Sequence, residues 1–303
     1  MIETTNCVFC GSDKFEVLYS RKDARFSLDE NVYSMNQCKD CRGLYLSPRI
    51  RESEIWNYYP VDYYYEQLPP GEIMKRELHK NVGKYRYLMN MKPGKLLDVG
   101  CRDGSFVKFM ELFDWDSEGY EINQSVTNRF NCKISYGDFS QLKEASYDVI
   151  TLWAVFEHLY DPKKYLIQIS EMLKPGGYLI IQVPKYDSFT GKILLHEDVP
   201  RHVTAFTSKW INSYIEKFGF RRVRNNTRCT VFWGSSQGFL IYFIWRLVGN
   251  SKDEALRAIY RTNRVNLDSS LAKVDLFLSK HLDKALRKLD YWGQMTSVFQ
   301  KEA

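Results

Sequence analysis

Short apolar runs closed by glycine or an acidic residue recur through the middle of the chain and predict its frame. Leu96, Leu97 and Val99 read as a buried strand, Gly100 and Gly104 as a tight turn, and Ser105 to Leu112 as a helix. Trp115 to Ile122 reads as a second strand and Lys133 to Phe139 as a third segment. Ser146 to Pro162 reads as a buried fourth strand running into a loop, and Leu173 to Pro184 as a helix end, a turn and a fifth strand. Phe206 to Gly219 has helical spacing behind a Thr or Ser cap, and the following GFRRVRNNTRC reads as a sixth strand. Gly71 to Met91 reads as a helix leading into the first strand. Strands alternating with helices in this order predict an α/β fold.

The turn after the first strand is where the pattern acquires chemistry. A glycine turn feeding a helix presents unpaired N–H groups to an anionic ligand group. A dinucleotide fingerprint would place glycine at 100, 102 and 105, and Arg102 and Ser105 stand there instead, which disfavours a pyrophosphate site. KLLDVGCRDGSF, Lys95 to Phe106, resembles the first motif of class I S-adenosylmethionine-dependent methyltransferases, and the later segments resemble that family's further motifs over residues 75 to 230. The resemblance implies a Rossmann-like seven-stranded sheet whose last strand, Gly293 to Lys301, is antiparallel. It implies that Asp98, Gly100, Cys101 and Gly104 line the cofactor. Glu121, 21 residues after Gly100, would accept from the ribose hydroxyls with Ile122 beside it. Asp138 would meet the adenine amino group, Phe139 would flank the ring, and Trp153 would flank the adenosine or the acceptor. Arg102 departs from the glycine many relatives carry; if φ is positive there, a side chain costs on the order of 1 kcal/mol.

Four of the seven cysteines form a second pattern, Cys7 and Cys10 followed after 27 residues by Cys38 and Cys41. Two CxxC pairs fit one tetrahedral four-thiolate site, with structural zinc the first reading and an iron–sulfur cluster the alternative. CVFCGS, QCKDCRGLYLSPR and the aromatic run WNYYPVDYYYEQ resemble bacterial methyltransferases with an amino-terminal zinc-binding domain, several of which act on sugars or on natural-product and cell-envelope intermediates. The expected layout is a zinc-binding unit over 1–55 and an aromatic linker with a leading helix over 56–92. A cofactor-binding domain over 93–230 plus 291–303 and a helical insertion or lid over 231–290 complete it. The tyrosines Tyr58, Tyr59, Tyr63, Tyr64 and Tyr65 would roof the active site or pack between units.

On the acceptor side, His158 in FEHLYDP and His202 in HEDVPRHVTAF are the candidate bases, because both titrate in a useful range and follow the fourth and fifth strands. His196, Glu197 and Asp198 are weaker candidates, and Arg201 is a candidate anchor for an acidic substrate group. No catalytic metal is expected. The run GFLIYFIWRLVG within 231–249 is too short to span a bilayer, so it reads as a buried helix or lid, with shallow membrane contact and a lipid-linked acceptor as the alternative. Leu271, Val274, Leu278 and Leu282 fall on one helical stripe. The formal charge of +6 is spread among acids, which argues against nucleic acid without excluding it. The sequence therefore predicts a cytoplasmic methyltransferase acting on a sugar-like small molecule, with an RNA methyltransferase and a non-catalytic cofactor-binding scaffold as the alternatives.

Overall fold

The structure is a computed structural model that describes residues 1–60, 70–142, 147–194, 198–227, 238–265 and 270–302. The amino-terminal part is all β. Strand β1 (Ile2–Glu3) pairs with β5 (Arg49–Ile50), and β2 (Phe15–Arg21), β3 (Tyr33–Cys38) and β4 (Leu44–Leu46) form an antiparallel meander. A 3₁₀ helix, Glu52–Tyr58, follows, and then α1 (Pro70–Tyr85).

The large sheet is built from β6 (Lys95–Val99), β7 (Asp116–Glu121), β8 (Ile134–Tyr136), β9 (Tyr147–Trp153), β10 (Leu173–Pro184), β12 (Phe220–Asn226) and β13 (Gln294–Lys301). Its order is β12-β13-β10-β9-β6-β7-β8. The strands from β8 to β10 run parallel, and β13 enters antiparallel between β10 and β12. This is the seven-stranded sheet expected from the sequence. Its central strands are near-continuous apolar runs because helices cover both faces: α2 (Ser105–Glu111), α3 (Pro162–Met172) and α4 (Ser208–Glu216). Asp161 caps α3 through the Lys164 amide with Pro162 in its first turn, and Thr207 caps α4 through the Trp210 amide. The expected helix end at Leu173 is instead strand, and the register against β9 shifts between Leu173 and Tyr178, where KPGG lies.

The amino-terminal unit is stitched into this frame. Strand β11 (Thr204–Ala205), from the segment after β10, pairs with β4 and completes a four-stranded sheet ordered β11-β4-β3-β2. Phe9 packs on Phe206, Trp210 and Tyr214, and the Trp210 indole donates to the Cys41 carbonyl at 2.6 Å. Cys7, Phe9, Cys38 and Tyr45 thus belong to the same apolar core as Leu97, Leu152 and Phe206.

Among the described residues, three helices lie between β12 and β13: α5 (Phe239–Leu247), α6 (Lys252–Val265) and α7 (Ser270–Lys288). Buried Asp275 of α7 accepts from the Gly238 and Leu240 amides at 2.7 and 2.9 Å, capping the start of α5. The stripe predicted on α7 is outward: Leu271, Val274 and Leu278 are exposed, whereas Asp275, Ser279, Asp283 and Leu286 are buried. A helix buries the face its neighbours can satisfy, and here Asp275 finds two backbone donors at the start of α5. Residues 231–237 of the expected lid, and Tyr63, Tyr64 and Tyr65, lie outside the described residues.

Candidate functional site

The cofactor side is assembled at the carboxyl ends of β6, β7 and β9. Gly100 (φ +74°), Arg102 (φ +55°) and Gly104 (φ +83°) all take left-handed backbone, and Gly104 leads into α2. A Cβ on Gly100 would run into Val155 of the loop after β9, and one on Gly104 into Cys132, so both glycines are fixed by close packing as well as by φ. Glu121, buried at the end of β7, accepts from the Arg102 and Asn123 amides, each at 3.0 Å. Burial raises its pKa, and those two amides pull the other way. The carboxylate therefore braces the strained turn at Arg102 while standing at the strand end where a ribose would lie.

Beside it opens a cavity of about 540 Å³ lined by Ile122, Asp138 and Phe139, by Lys164 and Gln168 of α3, and by Glu52 of the amino-terminal unit. Asp138 accepts from the Ser140 amide at 2.9 Å, which holds its carboxyl below the usual range. Phe139 is stacked on Tyr165, with ring centroids 4.6 Å apart. Three residues expected around adenosine thus share one cavity.

Asp98, Cys101 and Trp153 lie elsewhere. Asp98 is buried, accepts from the Thr151 hydroxyl at 2.6 Å, and has its pKa raised by burial against the pull of Lys84. The Cys101 thiol is buried, packed beneath the turn against Gly119. The Trp153 ring is buried among Phe106 and Tyr87 and does not line the adenosine-side cavity. Lys84 of α1 sets its ammonium 4.7 Å from the Phe106 ring centre and 5.7 Å from that of Trp153. Burial lowers its pKa, with Asp98 and Glu77 opposing. Sequence reasoning missed Lys84, because a lysine among the many on a polar helix carries no signal until its neighbours are known.

The two predicted histidines come together in the segments that follow β9 and β10. Their rings are 4.7 Å apart and edge to face, and ligand atoms of Glu157, His158 and His202 lie within 4.8 Å of one another. Backbone partners set the tautomers. His158 Nδ1 is 2.9 Å from the Arg201 carbonyl, an acceptor only, so Nδ1 carries the proton and Nε2 keeps a lone pair. The Tyr59 hydroxyl lies 3.0 Å from the same Nδ1. His202 Nδ1 accepts from the Asp198 amide at 3.1 Å, so its proton sits on Nε2. Burial, then the neighbouring His202, pushes the His158 pKa down to about 3, which keeps the ring neutral. Tyr59 is the second residue that spacing did not reveal.

The expectation for Arg201 fails. Its guanidinium is fully buried, paired with Asp23 at 2.9 Å and Asp198 at 2.7 Å and lying over Phe26. Burial opposes the charge on Asp198, yet Arg201 and Arg25 hold its carboxyl well below the usual range. Arg201 is a buried cross-link to the amino-terminal unit, not an anchor for substrate. Asp23 stands 178 residues away in the chain, so no local pattern announced it. His196 and Glu197 lie outside the described residues.

Cys7, Cys10, Cys38 and Cys41 gather their sulfurs within 4.8 Å of one another, with Cys7 to Cys41 at 3.5 Å and Cys10 to Cys38 at 3.6 Å. Thiolates about 2.3 Å from a shared zinc would stand about 3.8 Å apart. The Cys41 and Gly43 amides approach the Cys38 and Cys41 sulfurs at 3.4 Å, donors suited to thiolate charge. The residues present fit a tetrahedral metal.

The parallel sheet with its antiparallel β13, the glycine turn, and acids at the ends of β7 and after β8 define a class of α/β domain built to hold a nucleoside-bearing cofactor above its strand ends. A family model described as a methyltransferase domain matches residues 64–225, just over half of the chain. The chain belongs to that family. A ubiquinone biosynthesis O-methyltransferase from Vibrio atlanticus (strain LGP32) is 26% identical over 121 residues, 34% of this chain and 51% of its own length. Its counterpart from Saccharophagus degradans is 30% identical over 95 residues, 27% of this chain and 40% of its own. The chain therefore spans about half the length of the curated relatives it matches. The crystal structure of a SAM dependent methyltransferase from Archaeoglobus fulgidus aligns with a TM-score of 0.49 at 19% identity, over 75% of this chain and 94% of that one.

Proposed function

We propose that the protein is an S-adenosylmethionine-dependent methyltransferase acting on a small molecule: a sugar, a nucleotide-linked sugar or a related biosynthetic intermediate. The observation that carries the reading is the convergence of a left-handed glycine turn, a buried Glu121 at the adjoining strand end and the cavity between Ile122 and Asp138. The relatives' names favour oxygen as the acceptor atom. The zinc-binding resemblance of the amino-terminal segment supports the sugar class.

When bound, the cofactor supplies an electrophilic methyl group on a sulfonium. The Gly100 to Gly104 turn and Lys84 would hold its carboxylate, Glu121 its ribose hydroxyls, and Asp138 and Phe139 its adenine. His158 Nε2, the nitrogen its backbone partner leaves with a lone pair, accepts a hydrogen bond from the acceptor's hydroxyl and orients it for attack. With a pKa of about 3 the ring does not carry the proton away, so the expectation that it titrates in a useful range is overturned by its burial. His202 is a positioning residue, fixed by the Asp198 amide. Tyr59 and Glu52 bring the amino-terminal unit to the rim of this site. The four thiolates would hold structural zinc, a closed site whose role is to fold the unit.

The test is transfer of labelled methyl groups to a panel of nucleotide-linked sugars and hydroxylated aromatics. His158→Gln should lower kcat by about a hundredfold while leaving S-adenosylhomocysteine affinity unchanged. Full activity of that variant removes His158 from the acceptor site. Cofactor binding without transfer to any acceptor favours the scaffold.

A further inference from the structure

We propose that the outer face of α7 docks on an anionic lipid surface. The helix is packed opposite to the usual arrangement. Its inward side presents Asp275 (1% exposed), Ser279 and Asp283, while Val274, Phe277 (62% exposed) and Leu278 face outward. A helix that only covered the domain would bury that apolar stripe. Asp275 has a structural duty as the cap of α5, and its two bonds to the Gly238 and Leu240 amides fix which side of α7 faces inward.

Charge selects the occupant. The two acids of α7 both point inward, and its exposed surface carries Lys280, Lys284 and Lys288 along one flank of the stripe. Apolar side chains edged by lysines suit the boundary of a bilayer with negative head groups. The carboxyl end of α5 adds exposed Trp245, Leu247 (85% exposed) and Val248 around Arg246 in the same helical layer. A second copy fits less well, because a two-fold contact would set the same basic flank of a chain with net charge +6 against itself. No described helix is long and apolar enough to cross a membrane, so the contact is one of surface depth. The proposal does not depend on the acceptor being lipid-linked.

The full-length, zinc-loaded chain is sedimented with vesicles of phosphatidylcholine alone and of equimolar phosphatidylcholine and phosphatidylglycerol. Binding to the anionic vesicles only is expected, weakened at least tenfold by Val274→Glu with Phe277→Glu, and weakened also by Lys280→Glu with Lys284→Glu. Unchanged circular dichroism and S-adenosylhomocysteine binding show that these exposed positions leave the fold intact. Failure of the wild type to sediment with anionic vesicles overturns the proposal. So does a stable dimer that Phe277→Glu dissociates, which would assign the face to a second copy.

Discussion

Arg102 occupies a left-handed position that glycine would hold more cheaply, and the chain keeps it in place by contacts on both sides. Its amide donates to Glu121, and its guanidinium lies 3.6 Å from Glu77 and 3.7 Å from Asp103. The backbone bond survives substitution and the half-buried ion pairs are long, so relief of about 1 kcal/mol of backbone strain should dominate. Arg102→Gly is expected to leave cofactor affinity within about threefold of wild type, checked by calorimetry; a larger loss would give the guanidinium a direct part in binding. His158 makes a second residue-scale prediction. Its folded pKa, about 3, lies below the ordinary histidine value, so between those two the unfolded chain binds the extra proton. Stability should therefore rise with pH across that window and be lost as pH falls through it. Denaturant melts of His158→Gln should show a shallower acid slope than wild type, and an identical slope would contradict the buried neutral ring.

At the scale of elements, α5 begins at Gly238 with φ +93°, and Asp275 of α7 caps it by accepting from the Gly238 and Leu240 amides. Asp275→Ala should remove about 1 to 2 kcal/mol and speed amide exchange at the start of α5 before it affects β6 or β9. Uniform loss of protection would contradict this local role. The same helices mark where the sequence stopped being legible. The strands β6, β9 and β10 announced themselves as apolar runs because both their faces are buried, and the caps Asp161 and Thr207 are local signals. The inward face of α7 was misread because Asp275, buried on it, is satisfied by amides more than thirty positions away. Strand β11 is two residues long and is defined only by β4, far earlier in the chain. The candidate site divides the same way: the cysteines were readable from spacing and Glu121 and Asp138 from the family resemblance, whereas Lys84, Tyr59 and the buried pairing of Arg201 depend on chain crossings.

For the whole molecule, the amino-terminal unit and the large sheet share one core, one mixed-origin sheet and the Arg201 to Asp23 pair. A metal held by the four cysteines would contribute on the order of 10 kcal/mol to folding, and the shared core would spread that stabilisation beyond the first fifty residues. Chelation should lower the melting temperature of a single cooperative transition by about 10 °C or more; a separate early transition with the main one unmoved would show two independent units. Loss of the metal should also release Tyr59 and Glu52 from the rim of the site, so acceptor turnover should fall further than cofactor affinity.

The central claim is that a nucleoside-bearing cofactor sits on the glycine turn with its ribose on Glu121. Calorimetric titration of the zinc-loaded protein with S-adenosylhomocysteine, beside Glu121→Ala, tests it most directly. The account predicts micromolar binding that the substitution weakens tenfold or more, about 1.4 kcal/mol. Absence of binding by the folded wild type, or equal binding by the variant, would contradict it.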